Sequence, residues 1–591
     1  MVLIDERNAN YLNLLEGVIG RSVSTKEYSN TTAHFYFWLS KHCERLALGN
    51  MVACVDEKGN VCFGVVITMQ AMLNVPDVVS DYLSHDFGIP EALPPTEPEE
   101  ITLIKCTIIN NTHGRVQPIA RSEVYFASPT GIEHALGMDQ YAGDDRGIPI
   151  GVFENGDGEM TPLLIDESFL LGPEGAHLNV SGISGLATKT SVVEFILKSI
   201  FHYCSSQRGR KIAVLVFNVK GKDLLYFDKP NPALWEDSPL AVRSRKMYDL
   251  MGISPEPFHS VRVFAPFDAK AATRTKSLRM DGSVEPFVWS IIDVQDELNV
   301  LFDRSAWDDA VEAVWVDIQS VIEKQGIDNY DSLMTWLAEE RRATHDIRHT
   351  NWHGHMKHIF HKCVKNLSTL PGFYDGLIAT GGAKPMDIPI QELKNGDVWC
   401  IDLQSINERG QRLVFTKVLR KLEFLLSSRK GEVNIDNIIV FVDELNKFAP
   451  KHDASGNTIK QGLIHLAARG RSLGVTLFGI EQFASEVDKQ IVDNSSTLMY
   501  GRTGFAELKD EIYGWLSDEL KQRLSTVPRG ELLLKHAKFT QPLFFKFPLP
   551  ACVPGDLYIP TEDEVLAGSR KDDGKGAETA FARSEGREID F

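Results

Sequence analysis

The residues best suited to chemistry are a lysine and two hydroxyl residues that follow a loop of small side chains. A short apolar run, Leu178–Val180, leads into the loop Ser181–Thr188, and apolar residues then recur at helical spacing. A strand, a small-residue loop and a helix that begins at a lysine are typical of a phosphate-binding loop. Its backbone N–H groups and helix N-terminus face a polyphosphate. The predicted phosphate-binding residues are Gly182, Ser184, Gly185, Thr188, Lys189, Thr190 and Ser191.

Two residues of this segment have specific expected roles. The Lys189 ammonium would reach the β- and γ-phosphates, and the Thr190 hydroxyl would bind Mg²⁺. The spacing departs from the usual pattern, because Gly182 lies seven residues before Lys189 and Thr188 occupies the position of the second glycine. A glycine-rich turn between a strand and a helix also occurs without any nucleotide, so the segment alone leaves both interpretations open.

An acidic pair follows a second apolar run. The run Asn437–Val442 predicts a buried strand, and Asp443 and Glu444 come at its end. In an open α/β sheet, ligands bind at the carboxyl ends of the strands. Asp443 would hold Mg²⁺ through its water shell, and Glu444 would accept a proton from the attacking water. Surface acidic residues in a turn are the alternative. The two motifs together, in this order, predict nucleotide hydrolysis.

Three further side chains complete the predicted hydrolytic site. Gln482 ends the apolar run that begins at Gly474 and could hydrogen-bond the γ-phosphate or the water, although a polar strand cap is the alternative. Arg469 and Arg471 lie just upstream, where an arginine at a subunit boundary could act on the phosphates of a neighbouring subunit. Either arginine could instead pair with a carboxylate, and Arg469 is the preferred candidate.

The elements that must position these residues form several segments. Strand-like runs such as Phe35–Leu39 and Ile101–Ile109, separated by turn residues, predict a small β-barrel near the N-terminus. Alternating buried strands and helices predict a doubly wound α/β domain, interrupted by a helical insertion whose apolar positions include Val311, Trp315 and Ile322. The predicted segments are the barrel at 1–140, the first part of the α/β core at 141–228, the mixed and helical insertion at 229–370, the second part of the core at 371–545, and a C-terminal arm and tail at 546–591.

Composition limits the class of protein. The chain has 591 residues and a formal net charge of −19, which argues against a protein that coats nucleic acid with its whole surface. No apolar run is long enough to span a membrane, and the N-terminal residues lack a signal-peptide pattern. The eight cysteines are scattered and contain no Cys-x-x-Cys pair. We therefore expect a cytoplasmic protein with reduced, buried thiols and no membrane partner.

A histidine-rich segment lies in the helical insertion. Its members are His345, His349, His353, His355, His358 and His361. The first three are four residues apart and could share a helix face, but a metal site would require a convergent ligand set. A polar, partly basic face is the favoured interpretation.

Two loops contain basic and small polar residues suited to phosphate contacts. They are Ser405–Arg412 and Lys451–Lys460. We expect any contact of these loops with DNA to be independent of base sequence and sensitive to salt. Ordinary solvated loops are the alternative.

The order of these parts resembles the HerA family of the HerA/FtsK group. The resemblance is carried by the barrel, the phosphate-loop segment, the helical insertion, the stretch Val442–Pro450 and the stretch Ala468–Val475 with its Glu-Gln strand end. It implies a RecA-like P-loop core that binds ATP and Mg²⁺, a homohexamer with sites between subunits, and double-stranded DNA in a central pore. It also implies a barrel that docks an effector protein and a C-terminal arm, near Leu549–Pro560, that braces the neighbouring subunit.

The resemblance implies three alternative functions. The first is a hexameric, ATP-hydrolysing DNA translocase that acts with a nuclease or a sirtuin-type NADase effector, with anti-phage defence as the preferred setting. The second is an ATP-binding ring scaffold that regulates an effector with little DNA translocation. The third is a DNA end-resection motor in repair. The altered loop and Asn218, where relatives often have aspartate at the end of the following strand, suggest slow or partner-dependent hydrolysis.

Overall fold

A computed structural model of the chain describes most of residues 13–559. The residues outside the description are 1–12, 57–58, 76, 88, 93–98, 113, 115–117, 143–145, 157, 174–175, 184–187, 272, 304, 344–350, 371–375, 381, 428–433, 453–457 and 560–591, together with the side chains of 188, 458–459, 469 and 471–472. The described residues form two compact units. Unit 1 comprises Met1–Gly209, Pro232–Pro255 and Thr476–Ala551, and unit 2 comprises Arg210–Asn231, Glu256–Val475 and Cys552–Phe591.

Unit 1 begins with a closed six-stranded barrel, as the sequence predicts. Phe35 and Phe37 of its second strand are fully buried in the barrel interior, whereas Trp38 is exposed on the outer face. This alternation is expected because successive side chains of a strand point to opposite faces. The barrel order is β1-β2-β5-β4-β3-β6. The strands are β1 (Leu15–Val23), β2 (His34–Leu39), β3 (Met51–Val55), β4 (Val61–Leu73), β5 (Glu100–Asn111) and β6 (Glu123–Ala127).

The remaining strands of unit 1 form a mixed sheet. Its order is β17-β9-β18-β19-β20-β7-β8, in which β9 is parallel to both of its neighbours and the antiparallel pair β7–β8 lies at one edge. The strands are β7 (Gly147–Glu154), β8 (Met160–Asp166), β9 (Leu178–Ser181), β17 (Val475–Glu481), β18 (Thr497–Tyr500), β19 (Glu531–His536) and β20 (Leu543–Lys546). The helices of unit 1 are α1 (Val78–Ser84), α2 (Pro129–Ala135), α3 (Asp139–Ala142), α4 (Thr188–Ile200), α5 (Pro239–Leu250), α13 (Lys489–Asn494) and α14 (Asp518–Thr526).

Unit 2 contains a parallel sheet. Its order is β12-β11-β15-β10-β16, and every residue of β10, β15 and β16 is buried, which fits strands covered on both faces. The strands are β10 (Ile212–Asn218), β11 (Ser260–Pro266), β12 (Glu285–Phe287), the small hairpin β13 (Asn351–Trp352) and β14 (His355–Met356), β15 (Asp397–Asp402) and β16 (Asn437–Asp443). These two units confirm the predicted α/β class with an N-terminal barrel.

The helical segment of unit 2 follows the predicted periodicity. Its longest member buries the five positions that the sequence spacing indicates, Val311, Val314, Trp315, Ile318 and Ile322. That helix begins after the capping residue Asp308 and ends at Gly326, which has a φ of 66°. The helices of unit 2 are α6 (Ile291–Val294), α7 (Asp309–Gln325), α8 (Tyr330–Ala343), α9 (Lys357–Leu367), α10 (Glu408–Ser427), α11 (Leu445–Phe448) and α12 (Thr458–Leu473).

Several other sequence expectations concern local features. All eight cysteines are free thiols and seven of them are buried, as predicted. In the part of the chain that the structure describes, no helix is both long and apolar enough to cross a bilayer. Within unit 2, Val553 donates a backbone hydrogen bond to Lys229, and the Tyr558 ring lies against Tyr226, so this part of the predicted C-terminal arm contacts its own chain. Bracing of a neighbouring subunit and the domain boundaries stay predictions.

A buried histidine predicts how unit 1 responds to acid. Burial lowers the pKa of His536 from 6.5 to about 4, and nearby Lys538 also lowers it, whereas the Ser496 backbone and Asp166 act in the opposite direction. Between these two pKa values the unfolded chain binds the proton that the folded chain excludes. Stability should therefore fall as pH decreases from about 6.5 toward 4, by on the order of 3 kcal/mol.

The measurement is urea unfolding of the full chain at several pH values. His536→Gln should flatten the dependence in that window, whereas His42→Gln, at an exposed position, should leave it unchanged. Equal slopes for the wild type and His536→Gln would contradict the assignment.

Candidate functional site

The predicted phosphate segment has the expected strand and helix in unit 1. β9 is fully buried between two parallel neighbours, and α4 begins at Thr188. Gly182 follows the strand with a φ of 146°, and a Cβ atom there would lie 3.0 Å from the Cα atom of Gly501. Only glycine permits this close approach of the two backbones. Ser184 and Gly185 lie outside the described residues, as does the Thr188 side chain.

The Lys189 side chain extends from α4 to the carboxyl end of β17, the strand next to β9. Its Nζ atom donates a hydrogen bond of 2.9 Å to the backbone carbonyl oxygen of Glu481, the last residue of β17. Gln482 is the next residue, so the structure brings the lysine and the predicted γ-phosphate sensor to the same strand end. Thr190 is half-buried and Ser191 is buried in the first turn of α4. A lysine, hydroxyl groups and a helix N-terminus at a strand end are suited to binding an anion.

A buried carboxylate beside this lysine was not assigned a role from the sequence. The Glu481 side chain is fully buried, and its Oε2 atom accepts a 3.0 Å hydrogen bond from Nδ2 of Asn179. Asn179 lies on β9, so the pair links the two strands that support the phosphate segment. The sequence did offer one signal for Glu481, since it is an acidic residue at the end of an otherwise apolar strand. Nothing in the sequence indicated that Asn179 is its partner, because the two residues are 302 positions apart.

The predicted acidic pair lies at a strand end of unit 2. Asp443 is the last residue of β16, Glu444 follows it, and both are buried. Glu444 has a φ of 54°, a left-handed conformation that costs a non-glycine residue about 1–2 kcal/mol. Strained residues of this kind cluster at functional sites, where the surrounding structure maintains the strain.

Glu444 has a cationic partner that the sequence did not indicate. Nζ of Lys220 lies 3.0 Å from Oε1 of Glu444, and the lysine follows β10, the strand parallel to β16. Lys220 is half-exposed, whereas the Glu444 side chain is largely buried. The ion pair therefore links the ends of two adjacent parallel strands, β10 and β16.

A second polar cluster occupies the same edge of the unit 2 sheet. Asn218, the last residue of β10, is fully buried and donates through Nδ2 to Oδ1 of Asp402 at 3.0 Å. Ser277 donates to the other carboxylate oxygen at 2.7 Å. Burial raises the pKa of the Asp402 carboxyl above its usual value, while these two hydrogen bonds oppose the rise. Asn218, at a position where HerA relatives often have aspartate, thus contacts an aspartate on the adjacent strand, β15.

The remaining predicted residues are less defined. Arg469 and Arg471 belong to α12, but their side chains lie outside the description, so the preference for Arg469 stays a prediction. Among the histidines, His355 pairs with Asp317 at 2.9 Å and the His353 ring lies against Trp352. His345 and His349 lie outside the described residues. The described part of the chain contains no group of three His, Cys, Asp or Glu side chains that could hold a metal by themselves.

Both segments that were predicted as loops suited to DNA contacts end in a helix, which begins at Glu408 in the first and at Thr458 in the second. The interpretation of Ser405–Arg412 as a loop is wrong from Glu408 onward, because α10 begins there. Arg409 of this segment forms an ion pair with Asp303. In the second segment, Nζ of Lys460 donates to the backbone oxygen of Pro450 at 2.8 Å, and residues 453–457 lie outside the description.

The fold and site define an α/β protein with strand-end polar clusters and a helix that begins beside a lysine. No family model and no curated protein matches the sequence. Among solved structures, VirB4 of Thermoanaerobacter pseudethanolicus is similar with a TM-score of 0.43 and 15% identity, over 71% of this chain and 98% of that one. The bacterial conjugative coupling protein TrwB has a TM-score of 0.41 and 12% identity, over 70% and 94% of the chains. These scores are too low to assign a family or an activity.

Proposed function

We propose that this protein is a P-loop ATPase with a RecA-like core. The observation that carries the proposal is the position of Lys189, at the start of a helix that follows a buried parallel strand, with its amine at the end of the neighbouring strand. This arrangement is suited to binding a nucleoside triphosphate through its phosphates. Gly182 supports the proposal, because its conformation and tight packing keep the loop backbone close to the sheet edge.

The chain also offers the oxygen ligands that Mg²⁺ prefers. Thr190 would contribute a hydroxyl and Asp443 a carboxylate, both hard donors that suit this ion better than nitrogen or sulfur ligands do. When bound, Mg²⁺ would neutralise charge on the phosphates. Glu444 would accept a proton from the attacking water, Gln482 would contact the γ-phosphate or that water, and Arg469 or Arg471 would act on a neighbouring subunit's nucleotide.

At a finer level, we propose a homohexameric DNA translocase that works with an effector protein. The effector would be a nuclease or a sirtuin-type NADase docked on the N-terminal barrel, in anti-phage defence. Double-stranded DNA would be bound without base specificity. With a net charge of −19, any DNA contact must be confined to a small basic surface, so its affinity should fall steeply with salt.

One observation favours the alternative of a ring scaffold with little turnover. The Lys220 ammonium lies 3.0 Å from the Glu444 carboxylate, so this candidate base is engaged by a cation in the structure. Together with the altered phosphate loop, this contact is consistent with hydrolysis that is slow until DNA or an effector rearranges the site.

The direct test is Mg²⁺-dependent ATP binding and hydrolysis by the purified full chain. We expect ADP production that increases when duplex DNA is added and that stops when EDTA removes the metal. A scaffold would bind ATP without producing ADP under any of these conditions. Failure to bind ATP, with or without DNA and Mg²⁺, would overturn the proposal of an ATP site in either form.

A further inference from the structure

The outer ends of β4 and β5, with helix α1 and the turn after it, form an arm that we call the acidic arm and define as residues 72–75, 77–87, 89–92 and 99–101. The first half of β4 is buried, whereas its last four residues are exposed, and the partner strand β5 is exposed where it begins. Leu73 pairs with Glu100 in this outer part, so the two strands continue past the core as a ribbon. The ribbon carries helix α1 at its end.

The arm exposes large apolar side chains on and just after α1. Val78 is 84% exposed and Phe87 is 70% exposed. The exposed apolar residues of α1 and the following turn are Val78, Val79, Tyr82, Leu83, Phe87 and Ile89. Contiguous exposed apolar surface on a soluble protein marks an interaction site or an aggregation hazard. Single exposed apolar residues are ordinary, but a group within one short segment is not.

Helix α1 buries none of its seven residues against the part of the chain that the structure describes. Its side-chain hydrogen bonds are local: Oδ1 of Asp77 accepts a 2.7 Å bond from the Ser80 backbone, and the Ser84 hydroxyl donates to the Asp81 carbonyl oxygen at 2.7 Å. Isolated helices shorter than about 12–15 residues are marginal in water. Phe87 also has a φ of 58°, a left-handed conformation that is unfavourable for a residue with a side chain. Packing against a second molecule would offset both costs.

The charge of the arm indicates which kind of partner could bind to its apolar side chains. The described residues of the arm include six acidic residues and no lysine or arginine; the six are Asp77, Asp81, Asp86, Glu91, Glu99 and Glu100. Two copies of the arm would therefore place like charges opposite each other, which disfavours self-association through this surface. An anionic membrane is disfavoured for the same reason. A partner with apolar side chains flanked by lysine or arginine would satisfy both the apolar surface and the acidic rim.

We propose that the acidic arm is a docking surface for a partner protein that presents a basic amphipathic segment. The arm supplies the apolar residues of α1 and Phe87, and the partner supplies apolar side chains with lysine or arginine on either side. The chemistry follows from the arm itself, whereas equating the partner with the effector rests on the proposed function.

The test uses two synthetic helical peptides with the same leucine face, one carrying lysine and the other glutamate on the polar face. Binding to the full-length protein is measured by fluorescence anisotropy at low and high salt. We expect the lysine peptide to bind at least about tenfold more tightly than the glutamate peptide, and the difference to shrink in salt. Removing two apolar contacts in Val79→Ser/Phe87→Ser should weaken the lysine peptide by about tenfold to a hundredfold.

A matched control is Phe424→Ser, which removes an equally exposed phenylalanine from α10 of unit 2 and should leave peptide binding unchanged. Equal binding of both peptides, or equal losses in the control and arm variants, would overturn the proposal. So would sedimentation showing that the arm variant dissociates an oligomer, because the occupant would then be a second copy. ATP binding is measured in parallel. Peptide binding by a protein that binds no ATP would reject the proposed function and retain the docking surface.

Discussion

Replacement of Glu444 by glutamine should abolish ATP turnover while ATP binding is retained. The amide has nearly the same shape as the carboxylate but cannot accept a proton from the attacking water. A general base contributes about 10²–10⁴-fold to a rate, so kcat should fall by that factor. The ion pair with Lys220 would be lost as well, but the phosphate-binding residues around Lys189 belong to a different part of the sequence. Binding of Mg·ATP should therefore change little.

The measurement pairs ADP production with equilibrium binding of a fluorescent ATP analogue. Glu323→Gln makes the same chemical change at an exposed position of α7 and should behave as the wild type in both assays. If Glu444→Gln hydrolyses ATP at the wild-type rate, Glu444 is not the base. If the wild type itself binds but does not hydrolyse ATP, even with duplex DNA, the scaffold alternative is supported instead.

Replacement of Lys189 by alanine should remove most of the affinity for ATP. Hydrogen bonds to charged groups contribute about 1.5–3 kcal/mol, which corresponds to a loss of about 10–150-fold in affinity. Hydrolysis at a fixed, subsaturating ATP concentration should fall at least as much. The loss should be larger for ATP than for adenosine, because the ammonium acts on the phosphates.

Lys198→Ala is the matched control, since it removes a lysine from the last turn of the same helix. Isothermal titration with ATP, ADP and adenosine separates the contributions of the phosphates from that of the base. An equal loss for adenosine and ATP would indicate that the variant disturbs the fold. Unchanged ATP affinity in Lys189→Ala would contradict the assignment of the phosphate segment.

The strands and helices around the site could be predicted from local patterns. β9, β10, β16 and β17 are short apolar runs that end in polar residues, and α7 follows a strict three- and four-residue spacing. Such patterns can be recognised because the buried face of a strand or helix is occupied by apolar residues at regular spacing. The barrel is predicted for the same reason.

The side-chain partners could not be predicted in this way. Lys220 and Glu444 are 224 residues apart, and they meet because β10 is the parallel neighbour of β16. Strand order and register determine such pairs, and neither is encoded in the periodicity of a single strand. Asp402 is not among the residues singled out from the sequence, since its proximity to Asn218 depends on β15 lying beside β10. Helix α10 begins earlier than the predicted loop allowed, because Glu408 and Arg409 are compatible with both a loop and a first helical turn.

The bond between the Lys189 amine and the Glu481 carbonyl affects how strongly a nucleotide can be held. An incoming phosphate must either share the ammonium with this carbonyl oxygen or displace it. The free energy gained from the lysine is therefore the difference between its interaction with the phosphate and its interaction with the carbonyl oxygen. The carbonyl also restrains a long, flexible side chain before the ligand arrives, which reduces the entropy lost on binding. Under the proposed function, nucleotide binding would therefore be an exchange of ligands on a pre-positioned ammonium, and its affinity should vary with the strength of the bond between Lys189 and β17.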